Sequence, residues 1–209
     1  IEMQNVAIID IKIGNTQSLK NALNHLNCEA ILTNDINEIK KSDKIIFPGV
    51  GHFSFGSKQL DKNKLNDFLI NEIEKGKKIL AICLGMQLLF NTSEEDLNFN
   101  GLSVIKGKVK RLPEIKTIKS ESFPNTSWKN IEIVENEELF KHHNHNDMFY
   151  FVHSYYCEPV DNSNVIGYSK YNDFKFASVV KYNNCYGTQF HPEKSGRSGL
   201  DLLSSFLSI

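Results

Sequence analysis

The chain has 209 residues, of which 40% are hydrophobic and 23% charged, with a formal net charge of -1 at pH 7. This composition excludes disorder over the whole chain, and the balanced charge excludes the basic surface of a general nucleic-acid binder. The length favours one domain, so we predict a single unit over residues 1–209.

The first half of the chain alternates predicted strands and helices. Four apolar, β-branched runs have the length of buried strands, at residues 5–10, 29–33, 44–47 and 78–82. Apolar residues spaced i, i+3, i+4, i+7 predict helices over 19–26 and 65–73, and a third helix begins just after Cys83. We expect Pro48-Gly49 to end the third strand. This alternation is typical of βαβ units around a parallel sheet.

The second half of the chain changes character. Five runs look like strands joined by short turns, at residues 104–112, 149–157, 165–171, 174–182 and 185–190. Asn183-Asn184 predicts a hairpin loop, residues 136–147 a polar loop, and residues 200–207 a closing helix. The predicted fold class is therefore α/β, with a mainly parallel sheet to which the second half adds antiparallel strands.

The first candidate site follows the predicted strand 78–82, where the chain reads Cys83-Leu84-Gly85 before a helix. A strand, a nucleophile, a glycine and a helix form the layout of a nucleophile elbow. The helix start favours the thiolate of Cys83, and the N–H of Leu84 is placed to bind an oxyanion. The alternative is a structural cysteine, since cysteine is among the most buried residue types.

The second candidate site is His191 with Glu193, at the end of the last predicted strand. A cysteine nucleophile needs a base, and the imidazole needs a group that fixes its tautomer. The alternative is a surface histidine beside a solvated carboxylate.

The third candidate site is the glycine loop Gly49-Val50-Gly51 that follows the predicted strand 44–47. Such a loop turns backbone N–H groups toward an anion, although it matches neither a dinucleotide fingerprint nor a P-loop. The alternative is a simple turn. All three sites follow strands of one sheet, and ligands bind at the carboxyl ends of such strands. Together they supply a nucleophile, a base and an oxyanion loop, the parts for acyl transfer through a thioester.

The segments 83–87 and 190–193 resemble the class I (triad) glutamine amidotransferases. Within that family, residues 48–53, 150–155 and 190–195 look like the glutaminase subunits of imidazole glycerol phosphate synthases. The resemblance spans nearly the whole chain. It implies a flavodoxin-like fold, an open three-layer sandwich with helices on both faces of the sheet.

The resemblance also implies a mechanism and a set of contacts. Cys83 attacks the carboxamide of glutamine, His191 shuttles the proton, Glu193 orients His191, and ammonia passes to a (β/α)₈ cyclase partner in a heterodimer. The residues that match substrate-pocket positions are Val50, Gly51, Leu84, Gln87, Ser154 and Tyr155. The residues expected at the partner interface are Asn15, Trp128 and Lys194. Neither a cofactor nor a metal is expected, nor any nucleic acid or membrane partner.

One segment departs from the family pattern and leaves the ammonia acceptor open. The family carries Pro-His-x-Gly-Trp-Asn where this chain has Pro124-Asn125-Thr126-Ser127-Trp128-Lys129. The acceptor system is therefore either the cyclase of histidine biosynthesis or a sugar amidotransferase that makes acetamidino groups on surface glycans. Two further alternatives are a stand-alone cysteine hydrolase and a non-catalytic regulatory subunit.

The remaining cysteines and the histidine run 142–145 are expected to be structural or solvated, whereas His52 and His153 flank the proposed site and either support it or are structural. His142, His143 and His145 match no zinc spacing and are interpreted as part of a solvated loop. Cys28, Cys157 and Cys185 lack the elbow context and are interpreted as packing residues. The N-terminal Ile1-Glu2-Met3-Gln4 lacks the basic flank of a secretory signal, so we expect a cytoplasmic location.

Overall fold

The computed structural model describes residues 4–12, 14, 16–114, 122–134 and 137–209. The elements of the first half are β1 (Asn5–Ile9), α1 (Thr16–His25), β2 (Glu29–Thr33), α2 (Ile36–Lys41), β3 (Lys44–Gly49), α3 (Phe53–Lys62), α4 (Leu65–Glu74), β4 (Lys78–Cys83), α5 (Leu84–Leu88) and β5 (Thr92–Ser93). Those of the second half are β6 (Gly107–Arg111), β7 (Asn125–Lys129), β8 (Glu132–Ile133), β9 (Phe149–His153), β10 (Tyr155–Pro159), β11 (Val165–Tyr171), β12 (Phe174–Tyr182), β13 (Cys185–Thr188) and α6 (Gly196–Ser208).

One large sheet organises the molecule, with the strand order β2-β1-β3-β4-β13-β12-β10-β6-β5. The strands from β2 to β13 in this order run parallel to one another. From β13 onward β12, β10 and β6 pair antiparallel, and β11 pairs antiparallel with β12. The predicted fold class, with antiparallel strands added by the second half, is confirmed.

Helices cover both faces of the sheet because the central strands are apolar on both sides. In β1 the side chains of Val6 and Ile8 join one buried cluster, and those of Ala7 and Ile9 join the other. Residues of α1 and α6 fill the first cluster, whereas residues of α3, α4 and α5 fill the second. Among the described residues, no helix combines the length and the apolar character that a membrane crossing requires.

The predicted strand 149–157 is wrong as a single strand, because it divides at Ser154 into β9 and β10. β9 pairs with β7 in a separate two-stranded sheet, whereas β10 pairs with β6 and β12 in the large one. The ring of His153 bonds the carbonyl of Tyr155 through Nδ1 at 2.8 Å, and this contact spans the point where the chain changes sheet. The end of β9 and the start of β10 are thus held together by this hydrogen bond.

The prediction that the third strand ends at Pro48-Gly49 is wrong, because β3 continues through both residues. Proline lacks an N–H, so it is tolerated only where a strand has no partner on that side. The pairing of β3 with β1 ends at Ile46, while its pairing with β4 continues to Gly49 opposite Cys83. Pro48 therefore lies where β3 needs hydrogen bonds on one side only.

Candidate active site

The proposed nucleophile lies on a sharp turn between β4 and α5. Cys83 has φ 54° and ψ -108°, a conformation that a side chain other than glycine rarely adopts. Gly85 makes this turn possible, because a Cβ at this position would lie 1.9 Å from the carbonyl oxygen of Phe47 on β3. The strand, turn and helix predicted for a nucleophile elbow are present, although α5 spans only five residues.

The proposed base follows β13, which pairs in parallel with β4, so that both strands deliver their ends to one edge of the sheet. The side chain of His191 is 2% exposed, and its Nδ1 lies 2.8 Å from Oε1 of Glu193. Nε2 of the same ring is buried and has no hydrogen-bond partner among the described residues. The carboxylate thus fixes one ring nitrogen and leaves the other for a proton transfer.

Electrostatics favour a charged His191. Burial of the ring disfavours its protonation, but the nearby Cys83 sulfur and the Glu193 carboxylate outweigh burial and raise the pKa of His191 to about 10. At neutral pH the imidazole therefore holds a proton beside the sulfur. This arrangement is typical of a cysteine nucleophile that is activated by a neighbouring imidazole.

A cavity of about 420 Å³ opens over Cys83. Its lining includes all six residues predicted for the substrate pocket, namely Val50, Gly51, Leu84, Gln87, Ser154 and Tyr155. Gly51 has φ +102°, a conformation that favours glycine, so the loop after β3 turns sharply beside the nucleophile. The structure thus brings together the glycine loop, the elbow and the segment where β9 meets β10.

Sequence reasoning missed two residues at this site, Glu95 and Gln189. Glu95 lines the cavity, where its Oε2 accepts a hydrogen bond from the backbone N–H of Phe53 at 2.6 Å. Gln189 is fully buried, and its Nε2 lies 3.7 Å from the sulfur of Cys83. Glu95 stands in a polar stretch without a pattern, but Gln189 immediately precedes Phe190-His191, so its place two residues before the proposed base was a usable signal.

Two of the three residues predicted at the partner interface lie near one another. The indole of Trp128 is half exposed and packs against Tyr150 with ring centroids 5.7 Å apart. Tyr150 in turn accepts a hydrogen bond from the backbone N–H of His191 and contacts Ser195, the residue after the exposed Lys194. Asn15 lies outside the described residues.

The residues that depart from the family pattern form bonds with one another and with the site. Asn125 is fully buried; its Oδ1 accepts from Ser127 Oγ at 2.7 Å, and its Nδ2 lies 2.8 Å from Nε2 of His153. Burial, which disfavours the charged ring, lowers the pKa of His153 to about 4, so the ring is neutral near pH 7. Its Nε2 can then accept the hydrogen bond of Asn125.

The histidine run is only partly the solvated loop that was predicted. His142 and His145 are exposed, but His143 is half-buried and stacks on Phe149 with centroids 6.0 Å apart. Among the residues that the structure describes, no group of three or more His, Cys, Asp or Glu side chains could hold a metal ion. The other cysteines, Cys28, Cys157 and Cys185, are free and buried.

Comparisons with known proteins agree with this geometry. The sequence model of the family described as "Glutamine amidotransferase class-I" matches residues 7–208. A relative from Pyrococcus furiosus, named imidazole glycerol phosphate synthase subunit HisH, is 41% identical over 204 residues, 98% of each protein. A relative of the same name from Chlorobaculum tepidum is 35% identical over 201 residues, 96% of this chain and 98% of the relative. A crystal structure of a glutamine amidotransferase has a TM-score of 0.73 at 18% identity, covering 97% of each chain.

Proposed function

The chain belongs to the class-I glutamine amidotransferase family, and we propose that it is the glutaminase subunit of an imidazole glycerol phosphate synthase. It hydrolyses glutamine to glutamate and ammonia for histidine biosynthesis. The observation that carries this proposal is the cysteine on the elbow, which lines a cavity of about 420 Å³ and lies near a buried histidine paired with a carboxylate. The names of the relatives in Pyrococcus and Chlorobaculum support the same pathway.

The proposed reaction proceeds through a thioester. The Cys83 sulfur attacks the side-chain carbonyl of glutamine and forms a tetrahedral oxyanion. The proton held on His191 passes to the leaving nitrogen, the C–N bond breaks, and ammonia departs. His191 then takes a proton from water, whose oxygen attacks the thioester. The C–S bond breaks, glutamate leaves, and the proton stays on His191 beside the freed sulfur. Glu193 keeps the imidazole in the required orientation throughout.

The lining of the cavity suits an amino acid with a carboxamide side chain. We assign the oxyanion to backbone N–H groups of Leu84 and of the loop at Val50-Gly51, which flank the sulfur. Gln87 and the Ser154-Tyr155 segment also line the cavity. Glu95 adds a carboxylate, whose charge is complementary to the α-ammonium group of glutamine.

The ammonia is consumed by a second subunit, which we propose to be a (β/α)₈ cyclase. A free amine in water is protonated near pH 7 and loses its nucleophilic lone pair, so direct transfer between subunits preserves its reactivity. The surface that carries Trp128, Tyr150 and Lys194 supports such docking. It lies directly behind the proposed base, because Tyr150 accepts the backbone hydrogen bond of His191.

The test is glutamate release from glutamine by the chain alone, with the cyclase subunit of the same organism, and with that subunit plus its ligand. We expect release to rise when the cyclase and ligand are present, and Cys83→Ala to abolish it. Wild-type turnover by Cys83→Ala would refute the mechanism. High activity on non-glutamine amides without any partner would favour a stand-alone hydrolase.

A parallel assay replaces the cyclase with a sugar amidotransferase, the acceptor system that the sequence left open. The buried hydrogen bonds of Asn125 and Ser127 fix the strand that carries Trp128, a residue expected at the partner interface. Stimulation by the cyclase and not by the sugar enzyme is the expected result. The opposite pattern would keep the glutaminase chemistry and change the pathway.

A further inference from the structure

A buried amide contacts the proposed nucleophile from the side of β13. Gln189 is fully buried, and its Nε2 lies 3.7 Å from the Cys83 sulfur, within the range of an N–H···S hydrogen bond. Its backbone N–H donates to the carbonyl of Ser178 on β12, so the residue is fixed by the strand pairing as well. A buried amide with no role would cost free energy, since polar groups removed from water need partners.

The direction of this amide is determined by neighbouring groups. Nε2 of Gln87 lies 3.3 Å from both the carbonyl oxygen of Tyr155 and Oε1 of Gln189. A main-chain carbonyl can only accept, so Gln87 must present its NH₂ group to it. The same NH₂ group then donates to Oε1 of Gln189, and this leaves Nε2 of Gln189 facing the sulfur.

The opposite end of the chain of bonds agrees with this direction. The carbonyl of Tyr155 also lies 2.8 Å from Nδ1 of His153, which must therefore carry the proton. Nε2 of that ring then accepts from Asn125, whose Oδ1 is already taken by the hydroxyl of Ser127. Donors and acceptors alternate without conflict from Ser127 to Cys83. Reversing the amide of Gln189 would place two donors, its NH₂ group and that of Gln87, in contact.

We propose that Gln189 is a further catalytic residue, which donates a hydrogen bond to the Cys83 sulfur and favours its anionic form, and that Gln87 and the Tyr155 carbonyl position it. The sulfur is anionic before attack and again when the thioester breaks, so a fixed N–H donor is useful at both stages. His191 supplies the proton, whereas Gln189 supplies a donor that stays in place. This proposal rests on the proposed role of Cys83 as the nucleophile.

The experiment measures alkylation of Cys83 by iodoacetamide as a function of pH, which does not require glutamine turnover. Mass spectrometry of the peptide that contains Cys83 follows the rate, with Cys83→Ser as the background. Gln189→Met keeps the length of the side chain and removes the donor. We expect the midpoint of the alkylation profile to rise by about one pH unit, a tenfold loss of the reactive form.

The matched control is Thr188→Val, at the last residue of β13 and next to Gln189. Thr188 is also fully buried and donates to the carbonyl of Phe190 at 3.1 Å, so the variant loses a buried hydrogen bond that does not involve the sulfur. Its profile is expected to match the wild type. Gln87→Met, which releases the amide of Gln189 but leaves it in place, is expected to shift the midpoint in the same direction by less.

Two results would overturn the proposal: a folded Gln189→Met with the wild-type profile, or an equal shift in Thr188→Val. If Gln189→Met does not fold, as circular dichroism would show, the Gln87→Met profile decides, and an unshifted midpoint refutes the proposal. A failure of the proposed function would look different. The wild-type chain would then release no glutamate with its partner, while the alkylation profiles would still report on the contact between Gln189 and the sulfur.

Discussion

Gly85 is the residue that most constrains the catalytic turn, and Gly85→Ala tests whether the turn at Cys83 requires a glycine at this position. A Cβ at this position would lie 1.9 Å from the carbonyl oxygen of Phe47, and real Cβ contacts essentially never fall under 3.0 Å. The backbone at Gly85 and the Phe47 carbonyl must therefore separate by at least 1.1 Å, the difference between these distances. Phe47 is in the interior of the sheet, paired with β4, so the start of α5 has to move.

This displacement has two measurable consequences. Overpacking of a buried contact costs about 1–3 kcal/mol of unfolding free energy. A shift of about 1 Å in a catalytic group can lower the rate roughly 100-fold, because the reacting atoms leave their attack geometry. The turn that moves carries both Cys83 and the N–H of Leu84. We therefore expect Gly85→Ala to lose roughly 100-fold in glutamate release.

The assay combines chemical denaturation with partner-stimulated glutamate release. The control is Gly76→Ala, in the turn between α4 and β4, at the end of the strand opposite to Cys83. There φ is +85°, and the nearest atom to a new Cβ is the flexible Asn184 amide at 3.2 Å. That variant should lose about 1–2 kcal/mol through backbone strain alone and keep its activity. Full activity in Gly85→Ala, or equal loss of activity in both variants, would refute the reasoning.

Three further predictions concern single side chains. Glu193→Gln removes the carboxylate that helps raise the pKa of His191, so an NMR titration of the ring should give a value below about 10, and kcat should fall roughly 10³-fold. Asn125→Leu leaves Nε2 of His153 without its donor and should lower the unfolding free energy by about 1–3 kcal/mol, measured by urea denaturation. Burial lowers the pKa of His153 from 6.5 to about 4, so between these pH values the unfolded chain binds a proton that the folded chain does not. The free energy of unfolding should therefore fall by up to about 3 kcal/mol as pH drops from 6.5 to about 4. His153→Asn should flatten that part of the plot of unfolding free energy against pH.

The parts of the site that follow strand ends were predictable, because their signals are local. Cys83 before a glycine and a helix, and His191 two residues before Glu193, each sit within a few residues of a buried apolar strand. Parallel pairing then brings the ends of β4 and β13 to one edge. The single-domain organisation over residues 1–209 stays a prediction.

The elements that sequence analysis missed lack the expected apolar pattern. In α3 the buried positions are Phe53, Gly56, Ser57 and Leu60, which have the i, i+3, i+4, i+7 spacing of a helix but include two residues that are not apolar. Gly56 is small for a reason, since a Cβ there would lie 2.7 Å from Leu88 of α5. The spacing of apolar residues therefore did not predict α3, the helix that packs against α5.

Other features were missed because the pattern of apolar and polar residues along a segment does not show which strand or side chain it contacts. The residues from Phe149 to Cys157 keep a strand-like composition throughout, and nothing in their order shows that two different sheets share them. The donor role of Gln189 depends likewise on Gln87, which lies 102 positions earlier in the chain. Such long-range bonds appear only once the strands are paired.

The position of β13 also has a consequence for the order in which the site is assembled during folding. This strand lies between β4 and β12 in the sheet, although its residues 185–188 follow β4 by more than 100 positions in the chain. Closing so long a loop is entropically costly and is expected late in folding. Until β13 pairs with β4, Cys83 lies without His191, Glu193 or Gln189 beside it. The reactive thiol therefore forms only when the two halves of the sheet join through the pairing of β13 with β4.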